Sequence, residues 1–182
     1  MNITLYGAAS EKVDAIYKEE VEKLGREMAR RGHTMVFGGG ASGLMGAAAR
    51  GMRAEGGRII GITPRFIHEF EPIFDDCTEL IDTKTLSERK DKMESLADAF
   101  IIVPGGIGTF DEFFQILTLR SLGRSTKPIV LFNVKNFWDN MLSVVGSDMF
   151  KGFIGTGVAD CFTVCETAES AFAYLEEKAK WK

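Results

Sequence analysis

A glycine-rich segment in the middle of the chain ends in a carboxylate. Residues 104–112 have the sequence Pro-Gly-Gly-Ile-Gly-Thr-Phe-Asp-Glu and follow an apolar, β-branched stretch that is typical of a buried parallel strand. A helical pattern follows, so backbone N–H groups of Gly106, Gly108 and Thr109 are expected at a helix N-terminus, where an anion is favoured. Glu112 is expected beside them. The segment therefore predicts a phosphate site with an adjacent carboxylate.

The same segment also has a purely structural interpretation. Thr109 and Glu112 have the spacing of a capping box, in which the two side chains only satisfy amides in the first helical turn. Glycine-rich turns between a strand and a helix are common in α/β folds that bind no ligand there. This motif alone leaves both interpretations open.

Two further turns rich in small residues follow predicted strands. Residues 38–46, Gly-Gly-Gly-Ala-Ser-Gly-Leu-Met-Gly, fit the G-x-G-x-x-G pattern of dinucleotide sites. The pattern follows the second strand, and the next strand ends without the acid that would hold a ribose hydroxyl, so NAD binding is disfavoured. Residues 7–10 form a third turn, which includes Ser10. Because right-handed crossovers bring carboxyl ends of parallel strands to one side, the three turns are expected to converge.

A charged segment supplies the candidate partner of Glu112. Arg89 and Lys90 lie near the start of a predicted helix that follows the fourth strand, and Arg89 is expected to face Glu112 if neighbouring strands follow chain order. A guanidinium binds phosphate through two parallel hydrogen bonds, whereas a carboxylate can act as a base. Glu79, at the start of the preceding strand, is a weaker candidate. The competing interpretation is an ordinary solvated helix turn.

Composition limits the class of protein. The chain has 182 residues with 45% hydrophobic content, which predicts one domain over residues 1–182. A net charge of −4 with scattered basic residues disfavours nucleic-acid and membrane partners. The first residues already form a strand-and-turn pattern, so we expect a cytoplasmic protein. Three cysteines without CxxC spacing, distant from both histidines, disfavour a metal site and predict small buried thiols.

Short apolar stretches alternate with helical patterns along the whole chain. This alternation predicts an α/β fold, a Rossmann-like doubly wound parallel sheet with about seven strands in a three-layer α/β/α arrangement. Strands are predicted at residues 3–6, 34–37, 58–62, 79–81, 99–103, 129–132 and 158–164. Helices are predicted at residues 12–31, 43–54, 87–96, 110–122, 137–145 and 168–180.

Together these motifs resemble the "Lonely guy" type of cytokinin-activating nucleoside 5′-monophosphate phosphoribohydrolases, whose bacterial members were long mislabelled lysine decarboxylases. The resemblance runs from about residue 3 to residue 155, and the pairing of Arg89-Lys90-x-x-Met93 with residues 104–112 is specific to this superfamily. It implies hydrolysis of AMP or an N6-substituted AMP to the free base and ribose 5-phosphate, without a metal or redox cofactor. A lysine decarboxylase needs pyridoxal phosphate on a lysine, and the sequence places no lysine with a partner for the pyridinium nitrogen.

The resemblance also assigns site residues. Arg89 and Glu112 take the family's catalytic positions. The positions implied for substrate binding are Ser10, Gly39, Gly40, Gly43, Met45, Glu79, Lys90, Gly105, Gly106, Gly108 and Thr109.

This sequence departs from the plant-like members on the side of the base. Residues 86–88 are Leu-Ser-Glu where those members have Met-His-Gln, Gln115 replaces a glutamate and Leu119 replaces a tryptophan. The preference between adenine and a prenylated adenine therefore stays open. The alternative function is a non-catalytic binder or carrier of a phosphorylated ligand, like the molybdenum-cofactor carriers, which would not need a carboxylate aimed at a ribose.

The helix after the glycines carries apolar groups on two faces. Phe110, Phe113, Phe114 and Leu117 share one face, while Ile116 and Leu119 lie on another. Packing on the sheet covers only one face, so we expect a homodimer in which the same helix of a second subunit covers the other, with Arg120 near the contact. The alternative cover is the C-terminal helix of residues 168–180.

Overall fold

A computed structural model describes residues 1–146, 152–155 and 157–179. The described residues form seven strands and six α-helices, which alternate along the chain except that the third and fourth strands follow each other with only a 3₁₀ turn between them. This arrangement confirms the predicted three-layer, doubly wound Rossmann-like fold. The elements are β1 (Asn2–Tyr6), α1 (Ala15–Arg30), β2 (Thr34–Phe37), α2 (Gly43–Ala54), β3 (Arg58–Pro64), β4 (Glu79–Thr83), α3 (Leu86–Leu96), β5 (Ala99–Ile102), α4 (Ile107–Ser121), β6 (Ile129–Phe132), α5 (Asp139–Val145), β7 (Thr163–Cys165) and α6 (Ala168–Ala179).

The strands form one parallel sheet in the order β4-β3-β2-β1-β5-β6-β7. The direction of winding reverses between β1 and β5, and such a switch point opens a crevice at the carboxyl ends of the strands. The assumption that neighbouring strands follow chain order is therefore wrong, because β4 is an edge strand and β5 is central. Helix α3 crosses from the edge back to the centre, and this crossing carries Arg89 over the carboxyl edge.

Side-chain alternation along the strands divides the core into two halves. Leu5 and Ile101 point to the face covered by α1, α2 and α6, whereas Tyr6 and Phe100 point to the face covered by α3, α4 and α5. Phe172 of α6 packs in the first half. Helix α6 therefore lies on the opposite face of the sheet from α4 and does not cover its outer side.

Three boundaries differ by three residues or more from those predicted, and the other differences are of one or two residues. Helix α4 begins at Ile107 with Gly106 as its N-cap, three residues before the predicted start. Helix α1, by contrast, begins at Ala15, three residues after the predicted start at residue 12. Residues 158–161 form a 3₁₀ turn instead of a strand, because Gly157 adopts a left-handed φ of 91° and turns the chain just before β7. Lys180, the predicted end of the last helix, lies outside the described residues. No helix in the described ranges is long and apolar enough to span a bilayer.

Candidate active site

Two of the three loops, those after β1 and β5, line one cavity at the carboxyl edge of the sheet, beside the switch point, and the segment of residues 38–46 reaches it only through Met45. The volume of this cavity is about 310 Å³. The loop after β1, the loop after β5 with the start of α4, and single residues from α2, α3 and the segment after β3 line it: Gly7, Ala8, Ala9, Ser10, Met45, Ile67, Glu71, Arg89, Gly106, Gly108, Thr109 and Glu112. The topology thus brings together residues that are distant in sequence.

The first turn of α4 presents free amides to this cavity. The amide of Phe110 donates to the Gly106 carbonyl at 3.0 Å, whereas the described residues provide no acceptor for the amides of Ile107, Gly108 and Thr109. No side chain caps the helix. A Cβ on Gly105 would overlap the hydroxyl of Thr109, so the absence of a side chain there lets Thr109 pack over the loop. The capping box is not formed, and the amides stay available to an anion.

Arg89 and Glu112 face each other across the cavity. Arg89 Nη1 lies 3.8 Å from Glu112 Oε1, and the two side chains are only 15% and 12% exposed. Arg89 Nε donates to the Ile62 carbonyl at 3.1 Å, which fixes the plane of the guanidinium from the end of β3. Any Cβ on Gly38 would overlap that guanidinium. The end of β3 and the bare backbone of Gly38 therefore position the arginine.

The environment of Glu112 changes its acidity. Burial raises the pKa of Glu112 from 4.5 to about 7, against the opposing effect of the Arg89 charge. Near neutral pH the carboxyl group therefore exists in both forms and can accept a proton. Burial and the charge of Glu112 also raise the pKa of Tyr6, the last residue of β1, so its phenol stays neutral.

In the glycine loop of residues 38–46, the amides around the start of α2 donate to oxygens of the protein. The Gly43 amide donates to Glu11 Oε1 at 2.8 Å, the Leu44 amide donates to the Ala8 carbonyl at 2.8 Å, and the Ala41 amide donates to the Pro72 carbonyl at 2.8 Å. Of the four residues assigned here to substrate binding, only Met45 lines the cavity; those outside its lining are Gly39, Gly40 and Gly43.

Two charged candidates also lie outside the cavity. Lys90 Nζ bonds Asp111 Oδ2 at 2.8 Å, which ties α3 to α4 beside the Arg89 pair. Glu79 is the first residue of β4, and its carboxylate accepts from Arg58 Nη2 at 3.2 Å at the amino edge of the sheet. Because the cavity lies at the carboxyl edge, the structure does not bring Glu79 to it.

Glu71 and Ile67 line the cavity, although no motif indicates them. Both belong to the segment after β3, where a 3₁₀ turn spans Arg65–Glu69 and the Glu71 amide donates to the Ile67 carbonyl at 2.9 Å. The neighbouring Gly40 carries no side chain; a Cβ there would lie 3.4 Å from Glu71 Oε2. The only sequence signal was an acidic residue in a loop that follows the carboxyl end of a strand.

The described residues contain no group of three or more His, Cys, Asp or Glu side chains that could hold a metal ion. The part of the cavity wall that the structure describes also contains no lysine that could form a Schiff base. The chemistry on this wall is that of one arginine, two carboxylates and free amides.

Comparisons with known proteins show which families this chain resembles. A family model described as "possible lysine decarboxylase" matches residues 45–175. The cytokinin riboside 5′-monophosphate phosphoribohydrolase of Rhodococcoides fascians is 35% identical over 96% of this chain and 88% of its own length. The enzyme of that name from Mycobacterium tuberculosis is 36% identical over 93% and 90%. The rice relative is 33% identical over 96% of this chain and 72% of its own length.

Solved structures share the fold at lower identity. The molybdenum cofactor carrier protein from Chlamydomonas reinhardtii superposes with a TM-score of 0.75 at 21% identity, over 98% of both chains. The molybdenum cofactor binding protein from Rippkaea orientalis gives 0.72 at 18%, over 97% of this chain and 94% of its own. These structures establish the fold alone. Together, the sequence relatives and the family model place the chain in the family of cytokinin riboside 5′-monophosphate phosphoribohydrolases, which the model describes as possible lysine decarboxylases.

Proposed function

We propose that the protein hydrolyses the N-glycosidic bond of a purine nucleoside 5′-monophosphate, AMP or an N6-substituted AMP, to give the free base and ribose 5-phosphate. The observation that carries this proposal is the pair of Arg89 and Glu112, 3.8 Å apart and almost buried, beside the free amides of α4. The names of the sequence relatives support the same reaction.

The substrate phosphate is placed against the first turn of α4. The amides of Gly108 and Thr109 supply donors at the positive end of the helix dipole, and Ser10 on the facing loop adds a hydroxyl. This placement sets the ribose next to Glu112, which lines the same cavity about one helical turn after Thr109.

Glu112 and Arg89 then act at the ribose. As the bond from C1′ to the base breaks, positive charge develops on the ribose, and the ionised Glu112 stabilises it. Glu112 also takes a proton from the attacking water, whose oxygen forms the new bond to C1′. The base leaves with the bonding electrons and takes up a proton from solvent, and Glu112 then returns its own proton to solvent. Arg89 holds the phosphate or assists the departing base. Glu71 supplies a second carboxylate on the wall, available to a donor group of the substrate.

The same pair separates this function from the alternative. A carrier of a phosphorylated ligand needs the free amides to bind the phosphate. It has no use for a buried carboxylate beside the ribose position, where burial raises the pKa of Glu112 to about 7. Incubation of the purified protein with a panel of nucleoside 5′-monophosphates, with detection of free base, tests the proposal and reveals the preferred base. Binding of the nucleotides without any release of base would favour the carrier.

A homodimer is part of the proposal. A groove of about 650 Å³ runs between α3 and α4, and it is lined by apolar and acidic side chains: Asp91, Glu94, Asp111, Phe114, Gln115, Thr118 and Leu119. Ile116 is buried with Phe113 and Leu117, whereas Phe114 is 40% exposed. Ile116 therefore shares the buried face of α4 and Phe114 lies on the outer face, which is the reverse of the predicted assignment. Helix α6 does not cover the groove, because it packs on the other side of the sheet.

Gln115 and Leu119, two of the departures from plant-like members, line this groove rather than the cavity. We place the second subunit here. Arg120 Nη1 donates to the Lys127 carbonyl at 2.9 Å within its own chain. Light scattering at micromolar concentration tests the dimer, since one chain has a mass of 20.1 kDa and a dimer has twice that mass. A cytoplasmic location stays a prediction from the sequence.

A further inference from the structure

We propose that a second chamber, on the far side of the phosphate position, binds an aromatic nucleoside joined to the substrate through its 5′-phosphate. The ligand class is a dinucleoside diphosphate. One nucleotide occupies the cavity of Arg89 and Glu112, and the second phosphate and nucleoside extend past Gly106. This inference rests on the proposed phosphate position.

The chamber adjoins the first cavity directly. Its volume is about 360 Å³, close to the 310 Å³ of the first, so each is large enough for one nucleoside-sized group. Ala8, Ser10 and Gly106 line both cavities. A phosphate bound at the start of α4 therefore lies at the boundary, and a group attached to its outer oxygen enters the second chamber.

The wall of this chamber suits a flat aromatic ring. Val13, Tyr17 and Phe137 supply apolar surface, whereas Leu44 on the same wall is fully buried. Phe137 packs edge-to-face against Tyr17 at a centroid distance of 6.1 Å and against Trp138 at 4.9 Å, yet it stays 38% exposed. Two neighbouring rings hold Phe137 in one orientation, and its exposed part can stack on a ligand ring. Little side-chain entropy is then lost when the ligand binds.

Two charged groups on the wall place the second phosphate. Lys12 is exposed and lines only this chamber, on the same loop as Ser10, so the joined phosphates extend from Ser10 toward its ammonium group. Asp14, the N-cap residue of α1, is also exposed on this wall. Its carboxylate repels a ligand that ends in a further negatively charged phosphate. The chamber therefore favours a ligand that ends in a neutral nucleoside over a free triphosphate.

The test compares AMP, ADP and diadenosine diphosphate as ligands, by calorimetry on the Glu112→Gln variant and by competition with AMP hydrolysis in the unmodified protein. We expect diadenosine diphosphate to bind about tenfold more tightly than ADP, the gain expected for one stacked base. Phe137→Ala should remove that gain while the KM for AMP stays unchanged. Lys12→Gln, at an exposed position that leaves the fold intact, should weaken ADP and diadenosine diphosphate but not AMP.

Equal affinity for ADP and diadenosine diphosphate would overturn the inference, and so would a Phe137→Ala variant that weakens AMP as much as the dinucleotide. If Phe137→Ala does not fold, the Lys12→Gln result decides. Failure of AMP itself to bind would overturn the proposed function and this inference together, whereas AMP binding and hydrolysis without a gain from the second nucleoside would overturn only the inference.

Discussion

The two glycine loops of this protein look alike in sequence and differ in what their amides do. In the loop of residues 38–46, the amides of Ala41, Gly43 and Leu44 all donate to protein oxygens. In the loop of residues 104–109, the amides that open α4 have no acceptor within the described residues. At the start of its helix the first loop is closed by oxygens of the protein, whereas the second stays open there to a ligand.

The difference comes from one carboxylate in each region. Glu11 reaches the start of α2, and its hydrogen bonds to Lys18 and to the Gly43 amide lower its pKa, so it acts as an internal anion. Glu112 turns away from the start of α4 toward Arg89, and burial raises its pKa to about 7. A glycine pattern therefore indicates a ligand site only where no side chain of the protein already occupies the helix N-terminus.

The largest expected effect comes from exchanging these two carboxylates for amides. Glu112→Gln should lower kcat for AMP by about a thousandfold or more, because an amide neither stabilises an oxocarbenium ion nor accepts a proton from water. Glu11→Gln is the matched control, and it should lower the melting temperature slightly while kcat stays within about twofold. Steady-state kinetics with thermal denaturation measures both, and full activity of Glu112→Gln would remove its catalytic role.

A second test removes the anion instead of the protein group. Adenosine should react with a kcat/KM at least about a hundredfold below that of AMP, because charge-assisted hydrogen bonds to the open loop contribute about 1.5–3 kcal/mol each. Release of adenine from both compounds under matched conditions gives the ratio. Equal values would mean that the open loop does not bind the phosphate.

The pH dependence should follow the raised pKa of Glu112. If the ionised carboxylate is required, kcat/KM for AMP falls about tenfold between pH 8 and pH 6, because kcat/KM reports the free protein, in which burial raises the pKa of Glu112 to about 7. The range stops at pH 6 because the substrate phosphate itself takes up a proton near that pH. A kcat/KM that stays flat from pH 8 to pH 6 would contradict this role.

The two carboxylates also affect stability in opposite directions. In the folded protein the pKa of Glu112 is raised from 4.5 to about 7. Its contribution to the free energy of unfolding is therefore fully present below pH 4.5 and is lost as the pH rises through 7. Glu11 has a lowered pKa, so its contribution is present at neutral pH and is lost in acid. At pH 8, Glu112→Gln should therefore be at least as stable as the unmodified protein.

The smallest expected effects come from adding one methyl group to each loop. A Cβ on Gly108 meets no protein atom within 4 Å, so Gly108→Ala should leave the stability of the protein unchanged or slightly higher. The added methyl group should raise the KM for AMP about tenfold, because it crowds the bound phosphate. Gly43 has a φ of 59° and its Cβ would overlap the Ala8 carbonyl, so Gly43→Ala should lose about 1–3 kcal/mol of stability. The reverse outcome would contradict the distinction between the loops.

Local patterns predicted most of the fold. The bounds of β2, α2 and β6 agree residue for residue, since short apolar strands and an alanine-rich helix carry strong signals. The start of α4 was predicted three residues late, because Gly108 and Thr109 have weak helix propensity and only their place above β5 holds them in the first turn. The strand order also escaped prediction, because it depends on crossovers between distant segments.

For the site, the sequence by itself determined the chemistry available: the amides before Phe110, the guanidinium of Arg89 and the carboxylate of Glu112, each positioned by a motif of a few residues. The tertiary structure decided which of these groups meet. It closed the loop of residues 38–46 with Glu11, brought Glu71 to the cavity and left Glu79 at the opposite edge of the sheet. The physical reason is that hydrogen-bond partners and burial arise between segments far apart in the chain, and no local pattern records them.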